Sequence, residues 1–273
     1  MYETIFLDLF PLWAVFAGSA LLTVIATKIG LILGKRRRAR MPPTETLALG
    51  SAVGATMGLL AFILAFTFSM GADRLDAKRA LALDQANAIG TALLRTALLP
   101  EPQRGQARRL MYEYLDRVLS LTQMKQEYGK FSNKGNFAEA VLAEVRKVKQ
   151  IESELWQAAA AATHISPTPG TALFASAINE VIDLHQTRIT TTFQQRMFPT
   201  FWVILFSLAV MAIGLAGYDT GVSGSQQSLA QWVVAVAFAA VIFLVVALDR
   251  PQSSVIVDLP LSELKAELEA DGV

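Results

Sequence analysis

Long uncharged stretches alternate with mixed ones along this chain. Four stretches stand out: Leu9–Thr27, Leu47–Met70, Phe198–Tyr218 and Thr220–Leu248. The second runs 24 residues without a charge and the third 21. A helix of about 20 apolar residues crosses a bilayer core about 30 Å thick, and the buried core helices of soluble proteins rarely carry runs this long. The pattern predicts an all-α integral membrane protein with four transmembrane helices, at 9–33, 47–70, 198–218 and 229–248. The first run is too long for a cleaved signal peptide. Acidic Glu3 and Asp8 precede it and its basic cluster follows, so it reads as a retained span.

The connections differ in kind. Gly34–Glu45, "GKRRRARMPPTE", is short and basic; Asp219–Ser228, "DTGVSGSQQS", is short and neutral in texture; residues 249–273 read as a polar C-terminal tail. The second connection, 71–197, reads as a helical extramembrane domain. Leu110, Tyr114, Val118 and Leu121 recur at helical spacing, and a second stripe runs through Phe137, Val141, Val145, Val148 and Leu155. "SPTPG" at Ser166–Gly170 breaks the chain. A further helix then carries Ile178, Ile182, His185 and Ile189.

No proline interrupts the chain between the second span and Pro100, which predicts one helix running out of the membrane through Gly71. A glycine costs about 1 kcal/mol against alanine inside a helix, too little to break one that packs along its back. Steps of about 100° place Phe62, Phe66, Asp73, Asp84, Thr91 and Arg95 on one side. Phe68, Leu75, Ala82, Ala86, Ile89 and Leu93 fall opposite. The front turns polar near Ser69. It reads either as a solvated face or as a pore lining in which Phe62 and Phe66 form a constriction that gates by dewetting. Gly50, Gly54 and Gly58 recur every four residues in the same span and let another backbone approach, within the chain or between subunits.

Composition narrows the chemistry. With no cysteine there is no disulfide and no thiolate metal site, and the net charge of +1 carries no nucleic-acid signal. The two histidines, His164 and His185, form no HExxH or other ligand set. "GVSGS" at Gly221–Ser225 has serine where a nucleophile elbow requires glycine. Walker and dinucleotide motifs are missing. The expectation is no catalytic residue, no metal and no cofactor. Lys28 reads as snorkelling, and Asp249–Arg250–Pro251 as an interfacial anchor that ends the last span. The cluster Lys35–Arg40 favours a cytoplasmic short loop by the positive-inside rule, against basic residues such as Arg74, Lys78 and Arg196 near the opposite face.

"DQANAIGTALLRTALLP", Asp84–Pro100, closely resembles a segment of the bestrophin-like family of bacterial and plant membrane proteins. The likeness is carried by Asn87, Gly90, Thr91, Arg95 and the Leu98–Leu99–Pro100 ending; Gln85 stands where an acidic residue is commoner, and Leu93 where an aromatic is usual. "ALDRP", with Asp249, Arg250 and Pro251, is a second and weaker match. The family is distantly similar to bestrophins, which are pentameric anion channels whose long second helix bears the gate. The resemblance implies a homo-oligomer, a pentamer by analogy, in a bacterial inner (plasma) membrane, with membrane lipid and inorganic ions as partners and no nucleic acid. It also implies a cytoplasmic helical domain, opposite to the positive-inside reading, and no calcium site, since no acidic cluster follows Pro251. The pore and gate candidates are then Phe62, Phe66, Ser69, Asp73, Asp84, Thr91 and Arg95. The alternative is a non-conducting, membrane-anchored helical sensor or scaffold.

Overall fold

The computed structural model describes residues 10–42, 49–127, 134–194, 199–224, 229–249 and 259–270. Its helices are α1 (Leu12–Arg38), α2 (Gly50–Arg95), α3 (Gln103–Glu127), α4 (Lys134–Ile165), α5 (Pro169–Gln194), α6 (Pro199–Ser223), α7 (Leu229–Asp249) and α8 (Leu259–Ala270). Among the described residues there is no strand. Four helices are long and apolar enough to cross a membrane: α1, α2, α6 and α7.

Helix α2 is unbroken for 46 residues, through Gly71, a length of about 70 Å at 1.5 Å per residue. Buried positions anchor both of its halves. Leu60, Leu64, Thr67 and Gly71 are buried, residues 72–81 are half-buried or exposed, and Ala82, Gln85, Ile89 and Ala92 are buried again at three- and four-residue steps. The expected back of the span was one residue out of phase. Phe68 is exposed and Leu75 only half-buried, because the stripe runs through Thr67, whose hydroxyl donates to the Ile63 carbonyl instead of asking for a partner.

The chain forms two compact units. One contains α1, α2 as far as Asp73, α6 and α7. Its packing rests on close backbone approach between α1 and α6. A Cβ on Gly30 would lie 2.0 Å from the Gly214 carbonyl oxygen, one on Gly34 2.2 Å from that of Tyr218, and one on Gly217 2.4 Å from that of Thr27. Any residue but glycine would force the helices apart. Val15, Leu60, Leu64, Trp202, Leu205 and Ile242 form the apolar core beside this seam, and the Phe16 ring meets Phe243 edge-on at 5.9 Å.

The other unit contains α2 from Arg74, with α3, α4, α5 and α8. The expected stripes sit inside it: Leu110, Tyr114, Val118, Leu121, Val141, Val148, Leu155 and Ile178 are buried, and Val145 packs on the same core. Phe137 lies outside the residues whose side chains are described. The break at "SPTPG" works as a helix start. Thr168 caps α5, its hydroxyl accepting the Thr171 amide at 3.3 Å, while the Thr171 hydroxyl accepts the Thr168 amide at 3.1 Å. Pro169 takes the first helical position, where its missing donor costs nothing. Residues 249–273 are polar in composition, yet they include α8, whose Leu261 is fully buried and whose Lys265 pairs with Asp116 at 2.7 Å. Leucines at 261, 264 and 268 give this short segment an apolar face that a composition reading misses.

Candidate functional site

Within the first unit, the side of α2 away from its buried stripe is uncovered among the described residues. Gly50, Gly54 and Gly58 each have open space there where a side chain would stand. Phe62 and Phe66 lie further along the helix, 68% and 57% exposed. Ser69 and Asp73 are exposed below them. The face therefore changes from bare backbone to aromatic to polar within six turns. Among the described residues nothing packs against these glycines. Close helix packing falls to Gly30, Gly34, Gly217 and Gly221, which the sequence reading did not single out.

In the second unit, Asp84 and Asn87 are exposed, Thr91 is half-buried, and Gly90 lies against Leu264 of α8, 3.5 Å from where a Cβ would be. Arg95 is half-buried, and its Nη1 donates to the Leu173 carbonyl at 3.0 Å, tying the end of α2 to the first turns of α5. Asp249, at the end of α7, is buried rather than lying at an open surface. Arg250 and Pro251 lie outside the described residues.

A polar cluster inside the second unit was not legible as a group. The Arg188 guanidinium donates to the Gln85 side-chain carbonyl at 2.6 Å, and the Gln85 amide donates to the Tyr114 hydroxyl at 3.3 Å. His185 Nδ1 lies 2.5 Å from Glu152 Oε1, with its ring edge-on to Tyr114. These residues come from α2, α3, α4 and α5, and all are buried. Burial first, and then the Glu152 carboxylate, hold the Tyr114 hydroxyl well above the usual phenol value. Burial lowers the Arg188 guanidinium from its ordinary value, though it stays charged at neutral pH. The Arg188 charge is thus enclosed among hydrogen-bonding partners, the condition under which buried charge is tolerated. A water-sized space of about 20 Å³ adjoins Thr122, His185 and Arg188. The signal for the cluster was Gln85 itself, a polar residue inside the apolar stripe of a helix.

Among the described residues no three His, Asp or Glu side chains gather as a metal site. The α2 face has the features of a lining or of an interface: no nucleophile with a base beside it, but an apolar ring followed by polar groups.

No curated protein matches the chain. The crystal structure of a bacterial bestrophin homolog from Klebsiella pneumoniae, in a mutant form, is similar over 96% of each chain, with a TM-score of 0.65 and 15% identity. That likeness concerns the fold. The bestrophin-like domain matches residues 21–255, which takes in α2 with its open face and the helical unit that follows. The chain is a membrane protein of the bestrophin-like family.

Proposed function

We propose that the protein is a homo-oligomeric ion channel of the inner (plasma) membrane, with anions as its natural cargo by analogy with bestrophins. One observation supports this reading: among the described residues a broad side of α2 is left uncovered, and on it Phe62 and Phe66 precede Ser69 and Asp73. Copies set around an axis would bring their glycine surfaces close and turn the phenylalanine rings inward. The rings then form the narrowest apolar zone, from which water withdraws readily. Asp84, Thr91 and Arg95 continue the lining in this reading, with Arg95 also holding α5 in place. Asp73 favours cations and nearby Arg74 and Lys78 favour anions, so ion preference is left to measurement.

The test is one preparation of Phe66→Ala, assayed for thermal stability and for chloride and potassium flux from liposomes. Flux that rises above wild type at near-normal stability supports a gate. If Phe66 instead packed inside the subunit, the change would cost about 3–5 kcal/mol. Lost stability with no flux in either protein rejects the pore. The scaffold reading draws on a different surface: Leu94 is 79% exposed, and exposed Leu98 and Leu173 lie near it in the helical unit, an apolar patch suited to a protein partner.

A further inference from the structure

The end of α1 carries a concentration of charge that the channel reading does not use. Lys35, Arg36, Arg37 and Arg38 form its last turn and Arg40 follows, all exposed. Among the described residues none of the five pairs with a carboxylate. Arg38 has a structural role, since its guanidinium occupies the space a side chain on Gly224 would fill, where the backbone turns with φ of 71°. The other four point their charge to the surroundings. Immediately before them the same helix exposes Ile25, Ile29, Ile32 and Leu33. At helical spacing Ile29, Leu33, Arg36 and Arg40 share one face, so apolar side chains give way to cations within one turn, a rise of about 5.4 Å. Trp232 marks the nearby interfacial depth, with the Lys28 ammonium 5.9 Å from its ring.

We infer that this face binds anionic phospholipid, with acyl chains along Ile29 and Leu33 and the phosphodiester headgroup among Lys35, Arg36, Arg37 and Arg40. The order of the two surfaces is that of a lipid molecule. A free phosphate has no use for the apolar half. Four open cations beside a span are instead the arrangement that collects acidic headgroups, with their attractions summing over the surface. The inference is independent of conduction and needs no particular orientation, because a symmetric bilayer offers acidic lipid on both faces.

The measurement is the relative association of spin-labelled phosphatidylglycerol over phosphatidylcholine with the full-length protein in liposomes. Wild type should prefer the anionic lipid several-fold. The quadruple variant K35Q/R36Q/R37Q/R40Q should lose most of that preference, and raised salt should weaken it in wild type without any mutation. Inorganic phosphate at matched ionic strength should leave it unchanged. Equal association of the two lipids with wild type, a preference that salt leaves untouched, or one that a folded variant retains in full overturns the inference. Competition by inorganic phosphate overturns the lipid as the occupant. The salt series on wild type keeps the test decisive should the variant fail to fold.

Discussion

The two units place their apolar side chains in opposite senses. In the membrane unit many large apolar residues face out, with Leu21, Ile29, Val203, Met211 and Val233 exposed, and small residues such as Ser19, Thr23, Gly30, Gly34, Ala212 and Gly221 are buried beside the core of Leu60, Leu64 and Leu205. In the helical unit Tyr114, Met111, Leu155, Phe174 and Ile178 are fully buried, while Arg108, Arg109, Glu113 and Lys149 face out. The difference follows from the solvent. Water drives large apolar surface inward. Lipid does not, so helices associate where small residues let backbones meet. Polar groups follow the same division. The membrane unit satisfies Thr23, Thr27, Thr67 and Thr220 within their own helices, whereas the helical unit joins Gln85, Tyr114 and Arg188 across three helices.

The largest effect should come from the membrane seam. Gly34→Leu drives a side chain into the α6 backbone at Tyr218 and Gly221, neither of which can yield as a flexible side chain would. We expect at least about 3 kcal/mol of destabilisation and little or no monodisperse protein in detergent chromatography. Well-folded Gly34→Leu would remove the contrast between the two units. Next comes the helical unit's buried cation. Arg188→Met leaves the buried Gln85 side-chain carbonyl without the guanidinium that donates to it. A loss of about 1–3 kcal/mol is expected, read as a lower unfolding midpoint.

A smaller effect separates packing from hydrogen bonding at Tyr114. Tyr114→Phe removes one bond to Gln85 and should cost about 1 kcal/mol at neutral pH. The phenol titrates higher in the folded protein than in the unfolded chain, so the folded state holds its proton more tightly. Its stabilisation is complete below the unfolded value of about 10 and declines as pH rises above it. Tyr114→Phe should lack that decline, so the difference in stability between wild type and variant narrows on the alkaline side. An unchanged difference up to pH 11 would mean that Tyr114 does not report its burial in this way. The smallest change in subunit stability belongs to Gly54→Leu, within about 0.5 kcal/mol, because that position faces open space. Its effect should appear in assembly instead: crosslinking or native mass spectrometry should find the oligomer weakened. A full oligomer in Gly54→Leu would take the glycine face out of the assembly.

What could be read from the sequence was whatever repeats along one helix. The spans are legible because lipid demands a long unbroken run. The stripe from Leu110 to Leu121 and the cap at Thr168–Thr171 are likewise local in sequence. Pairings between distant segments were not legible. Gly50, Gly54 and Gly58 repeat at four-residue spacing and look like a packing motif, yet they are open. Gly30 finds Gly214 and Tyr218, and Gly34 finds Tyr218 and Gly221, on a helix that begins at Pro199, and nothing in either stretch names the other. His185 read as a helix-face residue, because its partner Glu152 lies 33 positions earlier on another helix. Asp249 reads as part of an interfacial anchor, and its burial in the structure depends on neighbours that the local sequence does not name. The front of α2 is visible as a pattern, and the structure adds that Phe62 and Phe66 are exposed among the described residues.

The glycine seam also sets a timetable for biosynthesis. Helix α1 emerges first, but Gly30 meets residues around Gly214, and the whole helical unit up to Gln194 is made in between. At synthesis rates of about 5–20 residues per second, α1 waits roughly 10–40 s for its partner. During that time the narrow groove at Gly30 and Gly34 is open to the bilayer, where another nascent helix or an insertase can occupy it. A polypeptide released before Ser223 would leave α1 without its seam, and such fragments should be the ones that membrane quality control removes fastest.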